Sequence, residues 1–222
     1  MPPRFAHIHI PKTGGTSVTR YLRYLFGVRR VAHFGHSGRT RLFRGVSSEE
    51  LSIYRCISGH LSYPALLDKL GPKVFYFTVL RDPFDLFISF YSDIYHRRAH
   101  PLHELAQTKS PMAFLEIVAK QNLLRPQISY LSASGSFAEA VENIENRKIA
   151  ADSLPNMGRL LRVVARKAKK APAKLPHYNI SPRAPVPDEP ELRAAIAEFY
   201  GDDARLVAMV EARNAARGLP KG

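Results

Sequence analysis

The stretch Phe5-Ala-His-Ile-His-Ile-Pro-Lys-Thr-Gly-Gly-Thr-Ser17 decides the fold. Residues 5–10 form a largely apolar run that predicts a buried strand, and the adjacent Gly14 and Gly15 allow the backbone to turn tightly. Apolar residues then recur at helical spacing until Gly27, which is placed to end a helix. The stretch therefore predicts a strand, a glycine loop and a helix in direct succession.

The glycine loop has the features of an anion-binding site. Two adjacent glycines bring backbone N–H groups close to an anion, the helix adds the positive end of its dipole, and Lys12 adds a full charge. It is not a Walker sequence, because the lysine precedes the glycines and the chain contains no G-x-x-x-x-G-K-[ST] string. We expect the loop to bind phosphate or sulfate. The structural alternative is a helix start with an ordinary serine or threonine cap.

A second unit of the same kind lies at residues 73–95. Residues 73–80 contain the run Val-Phe-Tyr-Phe-Thr-Val-Leu, whose composition is typical of a central parallel strand covered on both faces. Asp82 is placed to cap the following helix, and Pro83 to occupy its first position. The pattern therefore predicts another strand, a short turn and a helix.

Weaker patterns predict the remaining elements. They indicate strands at 31–34, 55–58 and 148–151, and helices at 64–70, 111–120, 137–147, 153–170 and 192–210, the last interrupted at Gly201-Asp202. A proline-rich segment at 171–190 predicts a loop. Strands alternating with helices predict an α/β three-layer sandwich with a mainly parallel central sheet, in which ligands bind at the carboxyl ends of the strands.

The string Pro11-Lys-Thr-Gly-Gly-Thr-Ser17 resembles the phosphosulfate-binding loop of sulfotransferases that use 3′-phosphoadenosine 5′-phosphosulfate (PAPS). Among these it is closest in motifs to the carbohydrate sulfotransferases related to heparan sulfate 2-O-sulfotransferase. The resemblance implies a fold like that of P-loop nucleotide kinases, in-line displacement without a covalent intermediate, 3′-phosphoadenosine 5′-phosphate (PAP) as product, and no metal. The residues then expected to bind the 5′-phosphosulfate are Lys12, Thr13, Gly14, Gly15, Thr16 and Ser17, with the lysine also acting on the bridging oxygen.

The string Arg81-Asp-Pro-Phe-Asp-Leu-Phe-Ile-Ser89 is similar to the second signature of this family, in which an arginine and a serine bind the 3′-phosphate. Arg81 ends the strand with a planar guanidinium suited to an oxyanion, and Ser89 lies two turns along the helix. Leu86 stands where the family often has a second arginine, a departure that bears on additional salt bridges or acceptor contacts. The alternative is an ordinary Arg-Asp-Pro helix start.

Transfer to a hydroxyl needs a base near the attacking oxygen, and His60 is the candidate. It lies in Ser58-Gly-His-Leu61, which resembles the Gly-His segment of the 2-O-sulfotransferase group. The competing bases are His33 and His36, followed by Glu49, Glu50 and Asp85, whereas His7 and His9 are interpreted as structural. Arg183 follows a segment similar to a family loop that closes on the nucleotide, so it is either a phosphate or adenine contact or a solvated loop arginine.

Composition limits the remaining choices. A chain of 222 residues with 45% hydrophobic content is expected to form one domain, residues 1–222. The single cysteine excludes an internal disulfide, and the chain shows no apolar stretch of secretory or membrane-spanning length, which favours a cytoplasmic bacterial enzyme. The cysteine and the scattered histidines lack the spacing of a metal site.

The net charge of +14 points to anionic partners without choosing among them. Basic segments at 29–45 and 159–174 are either solvated faces or patches for an acidic acceptor or an anionic membrane surface. The function expected is PAPS-dependent transfer to a hydroxyl of a glycan or glycan-like acceptor. An ATP-dependent P-loop kinase and a basic nucleic-acid-binding module are the alternatives; the first lacks the Walker order and the second rests on charge alone. The acceptor and the oligomeric state stay open.

Overall fold

A five-stranded parallel sheet forms the centre of the computed structural model, which describes residues 3–35, 42–173, 182–184, 186 and 188–217. The strands are Phe5–Ile8 (β1), Val31–Phe34 (β2), Cys56–Gly59 (β3), Phe75–Leu80 (β4) and Ile149–Ser153 (β5). Their order across the sheet is β2-β3-β1-β4-β5, and each neighbouring pair is parallel. The predicted α/β fold with a parallel central sheet is confirmed.

Helices connect the strands and cover the sheet. They are Gly15–Phe26 (α1), Ser48–Leu51 (α2), Tyr63–Leu70 (α3), Pro83–His96 (α4), His103–Thr108 (α5), Pro111–Lys120 (α6), Ile128–Leu131 (α7), Phe137–Glu145 (α8), Met157–Lys167 (α9) and Pro190–Ala216 (α10). Short 3₁₀ turns occupy Val28–Arg30 and Leu154–Asn156. In the described part of the chain, no helix is long and apolar enough to span a membrane.

Local chemistry explains where several helices begin and end. The Asp82 carboxylate accepts the N–H of Asp85 at 3.1 Å, and Pro83 follows as the first residue of α4, as the sequence predicts. Gly27 adopts a φ of 89° and donates its N–H to Arg23 O, which ends α1. These caps fix the helices relative to the strands that precede or follow them.

The two faces of the sheet carry different layers. Phe5 and Phe77 join a buried apolar cluster with α1 and α9 on one face, whereas Ile8 and Tyr76 pack with α3, α8 and α10 on the other. The connection that follows β1 leads toward the edge of the sheet formed by β2, whereas the connection that follows β3 leads past β1 to β4. The direction of the connections along the sheet therefore reverses between β1 and β4. In such sheets the ligand crevice lies beyond the carboxyl ends of the strands at the reversal.

The C-terminal region has a kink beside the predicted interruption. The sequence predicts a helix break at Gly201-Asp202, and Tyr200 directly before it has non-helical angles, φ −130° and ψ 25°, so that two helices meet at a kink within α10. Beyond the kink, Asp203 turns inward and accepts two backbone N–H groups at the start of α7. The short helices α5 and α7 were absent from the sequence prediction.

Candidate active site

The loop after β1 forms a concave backbone surface. Lys12 and Gly14 have positive φ values of 68° and 83°, and Thr13 between them does not. Thr13 is buried, and its hydroxyl donates to Ile10 O at 2.8 Å, which fixes the loop from inside. The N-cap Gly14 has no side chain, so no side-chain hydrogen bond caps the start of α1. Such alternating backbone is typical of anion-binding nests.

Packing requires both glycines of this loop. A Cβ on Gly14 would lie 2.7 Å from Leu154 Cδ1, in a conformation that L side chains rarely adopt. A Cβ on Gly15 would overlap the imidazole of His9. The loop therefore reaches its shape because β1 and the β5–α9 connection press against it where side chains are absent.

Arg81, at the end of β4, joins the second motif to the first. Its Nη1 donates to Lys12 O at 2.9 Å, and its buried Nε has no acceptor among the described residues. Burial lowers the pKa of the guanidinium, Asp85 opposes that shift, and Arg183 adds to it. The two motifs therefore lie next to each other at the carboxyl ends of β1 and β4, where such sheets have their ligand crevice. The arginine retains a donor that no described protein group satisfies.

The Lys12 side chain lies over α4. Its Nζ is 3.5 Å from Asp93 Oδ1, and Asp93 also forms an ion pair with Arg97 at 3.1 Å. Burial lowers the pKa of Lys12, Asp93 raises it, and the charges of Arg97 and Arg81 lower it further. The lysine is thus held at the crevice by an acidic residue that the sequence analysis did not single out.

Three polar residues, Asp85, Ser89 and Asp93, recur every four residues on α4 and so share one face of the helix. Asp93 contacts Lys12 at one end of this face, and Asp85 lies 4.0 Å from Arg183 at the other. The half-buried Ser89 lies between them. The side chain of Arg183 is 77% exposed, so it borders the crevice without being packed in it.

Leu86, at the position where a second arginine was expected from the family pattern, is fully buried in an apolar cluster with α6 and α10. An arginine there would place a charge in this cluster without a partner. The departure from the motif therefore follows from packing.

A cluster of four histidines lies beside the glycine loop, under α1. The strand register aligns His7, Ser58 and His33, and the Ser58 hydroxyl is 2.9 Å from His7 Nδ1 and 3.4 Å from His33 Nδ1. His60 follows β3 and packs edge-to-face on His9, with ring centroids 4.4 Å apart. The four imidazoles thus occupy two adjacent rows on one face of the sheet.

Burial separates these imidazoles into two classes. It lowers the pKa of His7 to about 3 and that of His9 well below its usual value, so both are neutral near pH 7, which agrees with a structural interpretation. His33 and His60 are only half-buried, and both rings lie against the His9 imidazole, with centroids 5.6 and 4.4 Å away. His36, the other competing base, lies outside the described residues.

The carboxylates named as weaker bases are engaged elsewhere or exposed. Glu50 accepts the Ser47 N–H at 2.7 Å in a capping box that starts α2, and Asp85 faces Arg183. Glu49 is exposed on the same short helix. No group of three or more His, Cys, Asp or Glu within the described ranges could hold a metal ion.

The basic segment at 159–174 is not a uniformly solvated face. Arg159 is buried and forms a bidentate ion pair with Asp152, at 2.6 and 2.7 Å. The other lysines and arginines of the segment that the structure describes, between residues 162 and 170, are half-buried or exposed. For the segment at 29–45, residues 36–41 lie outside the described part of the chain.

The family and the neighbouring structures can now be compared with this geometry. The profile described as "Sulfotransferase family" matches residues 3–206. A sulfotransferase from Alicyclobacillus acidocaldarius superposes with a TM-score of 0.55 at 18% identity, covering 95% of this chain and 96% of that one. Mouse sulfotransferase SULT7A1 complexed with PAP gives a TM-score of 0.58 at 11% identity, covering 96% and 89%. No curated protein matches the sequence significantly. Since the profile spans most of the sequence, the chain belongs to the sulfotransferase family.

Proposed function

We propose that the protein transfers a sulfuryl group from PAPS to a hydroxyl of a glycan or glycan-like acceptor. The observation that carries the proposal is the hydrogen bond from Arg81 to Lys12 O, since it brings the two anion motifs into one crevice. A single adenosine carrying groups at both its 3′ and 5′ positions matches two such motifs on neighbouring strands. The PAP bound to the mouse neighbour supports the same donor here.

In this proposal the glycine loop binds the 5′-phosphosulfate through the backbone N–H groups of residues 13–17. Lys12 lies near the bridging oxygen and stabilises the negative charge that grows there as the S–O bond breaks. Arg81 and Ser89 bind the 3′-phosphate, the arginine through its planar guanidinium. Arg183, which borders the same face of α4, adds a contact to the phosphate or the adenine.

His60 acts as the general base on the acceptor. It takes the proton from the attacking hydroxyl while that oxygen forms a bond to sulfur and the S–O bond to PAP breaks. The half-buried imidazole packs edge-to-face on His9, with ring centroids 4.4 Å apart, beside the glycine loop. His33 is the competing base on the adjacent strand.

The acceptor class rests on the motif resemblance to carbohydrate 2-O-sulfotransferases and on the net charge of +14, which suits an acidic glycan. We also propose a cytoplasmic, bacterial enzyme of one domain. The single cysteine, which cannot form an internal disulfide, supports the location, and the length of 222 residues supports one domain. Nothing observed at the site favours the kinase or nucleic-acid-binding alternatives.

Nucleotide binding followed by sulfate transfer tests the proposal. PAP should raise the melting temperature of the protein, and ATP at the same concentration should raise it much less. Radiolabelled PAPS should then transfer label to at least one member of a hydroxyl-bearing glycan panel. Equal stabilisation by ATP, or no stabilisation by PAP, would overturn the proposed donor.

Substitution of the proposed base separates His60 from its competitor. We expect His60→Asn to lower kcat by about 10²–10⁴-fold with little change in PAP binding. His103→Asn, at a half-buried histidine on α5, is the matched control and should keep full activity. Full activity in His60→Asn together with loss in His33→Asn would move the base to His33.

A further inference from the structure

We propose that Gln127 and Asp203 are positioning residues that fix Arg81 for the 3′-phosphate. The inference rests on the proposed function and goes beyond it, because it names how a nucleotide-binding side chain at one end of the sheet depends on the C-terminal helix. Neither residue lies in the two anion motifs.

The side-chain amide of Gln127 clamps the backbone of Arg81. Its Oε1 accepts the Arg81 N–H at 2.9 Å, and its Nε2 donates to Arg81 O at 2.7 Å. The register of β4 with β5 ends at the pair Leu80 and Ser153, so Arg81 lies one residue beyond the ladder. A carboxamide supplies one acceptor and one donor at the right separation, and the fully buried Gln127 uses both on this single residue.

Asp203 in turn clamps the backbone of Gln127. Its Oδ2 accepts the Gln127 N–H at 2.7 Å, and its Oδ1 accepts the Ile128 N–H at 3.0 Å, at the start of α7. The carboxyl group is 1% exposed. Burial raises its pKa to about 6, although the two N–H donors oppose the shift. A buried acid with both oxygens on one backbone turn is a restraint on that turn.

The contacts form a continuous path from α10 to the glycine loop. It runs from Asp203 to Gln127, then to the Arg81 backbone, and through the guanidinium to Lys12 O. Every link joins a side chain to a backbone group. The first two links set where the arginine begins, and the last sets one direction of its side chain. The buried Nε has no acceptor among the described residues, so the guanidinium is held by the Lys12 O bond and by the backbone clamp.

The ratio of the Kd values for adenosine 5′-phosphate and PAP distinguishes a positioning role of Gln127 from a purely structural one. PAP and adenosine 5′-phosphate share adenine, ribose and a 5′-phosphate, and only PAP carries the 3′-phosphate. General loosening of the fold weakens both ligands alike. Loss of the Arg81 position weakens PAP selectively, so the ratio of the two Kd values isolates the proposed role.

Calorimetric titration of PAP and adenosine 5′-phosphate into three variants tests the proposal. Gln127→Met keeps the volume and removes both hydrogen bonds to Arg81, and Asp203→Asn leaves only one acceptor for the two N–H groups. Asn143→Leu is the matched control, because Asn143 is a buried amide that donates to Leu131 O at the other end of α7 without touching Arg81.

We expect the wild-type preference for PAP to fall about 10- to 100-fold in Gln127→Met, which is the range of a lost charge-assisted hydrogen bond, and less in Asp203→Asn. Asn143→Leu should keep the wild-type ratio. An unchanged ratio in folded Gln127→Met overturns the clamp while the proposed function stands. If Gln127→Met does not fold, an unchanged ratio in Asp203→Asn does the same. A wild-type protein without preference for PAP overturns the proposed function and the clamp with it.

Discussion

The loop after β1 and the turn after β4 border the same crevice but are built in different ways. The β1 loop presents backbone N–H groups, and it obtains its shape because Gly14 and Gly15 let neighbouring residues approach. The β4 turn presents a side chain, Arg81, whose backbone is held by a residue 46 positions away. A site made of backbone needs small residues within it, whereas a site made of a side chain needs a remote support.

Among changes to the β1 loop and the residues packed around it, the largest effect is expected from Lys12→Ala, which removes the one charged side chain that the loop adds to its backbone N–H groups. We expect kcat to fall by about 10²–10³-fold, since charge stabilisation at the leaving oxygen is lost. PAP binding should weaken much less, because the N–H groups stay. Single-turnover assays with labelled PAPS measure the first effect, and Lys120→Ala, an exposed lysine on α6, is the control. An unchanged rate would remove the lysine from the mechanism.

Gly15→Ala tests whether the β1 loop depends on close approach. The added methyl overlaps the His9 imidazole, so we expect a loss of about 1–3 kcal/mol in the free energy of unfolding and weaker binding of PAP. Gly201→Ala is the matched control, because a Cβ there meets nothing within 4 Å, and its stability should stay within about 1 kcal/mol of wild type. Urea unfolding of both variants gives the comparison. Equal stability of the two variants would contradict it.

Acidification should lower the free energy of unfolding, because burial disfavours the charged form of His7 in β1. The pKa of His7 is lowered to about 3 in the folded protein, so below about pH 6.5 the unfolded chain takes up a proton that the folded chain does not. Its contribution to stability is complete above pH 6.5 and is lost as the pH falls toward 3, with a slope of up to about 1.4 kcal/mol per pH unit.

Urea unfolding at several pH values between 7.5 and 5 measures this slope. His7→Asn keeps a polar partner for Ser58 and removes the titration, so its slope should be shallower by about one proton. Equal slopes in the two proteins would show that His7 is protonated in the folded state.

The smallest effect is expected from Asp93→Asn. The ion pair with Lys12 is partly exposed, and such pairs contribute about 0–1 kcal/mol. Removing a negative charge beside a phosphate site should tighten PAP binding by at most about fivefold. Glu116→Gln, which breaks an exposed pair with Lys120, is the control and should leave PAP binding unchanged. Weaker binding in Asp93→Asn would mean that the carboxylate positions the lysine for the donor.

The same contrast explains what the sequence could predict. The β1 loop is contiguous, so its strand, glycines, lysine and helix are visible together, and the α/β fold follows from the repetition of such units. Asp82 and Pro83 likewise mark the start of α4 at the right residue. These predictions depend on local chemistry, which the order of the residues contains.

The supports of the β4 turn were not predicted because folding alone brings them together. Gln127 lies outside both anion motifs, and Asp203 follows a Gly-Asp pair that predicts a helix interruption. The partners of these side chains are 46 and 76 residues away. The histidine cluster was missed for the same reason, since only the parallel register aligns His7 with His33.

The hydrogen bond between Arg81 and Lys12 O fixes the separation of the two motifs before any nucleotide arrives. Under the proposed function, this separation selects a nucleotide with anionic groups at both the 3′ and the 5′ positions of one ribose. A nucleoside triphosphate carries all of its phosphates on the 5′ side, so it would contact the β1 loop without meeting Arg81.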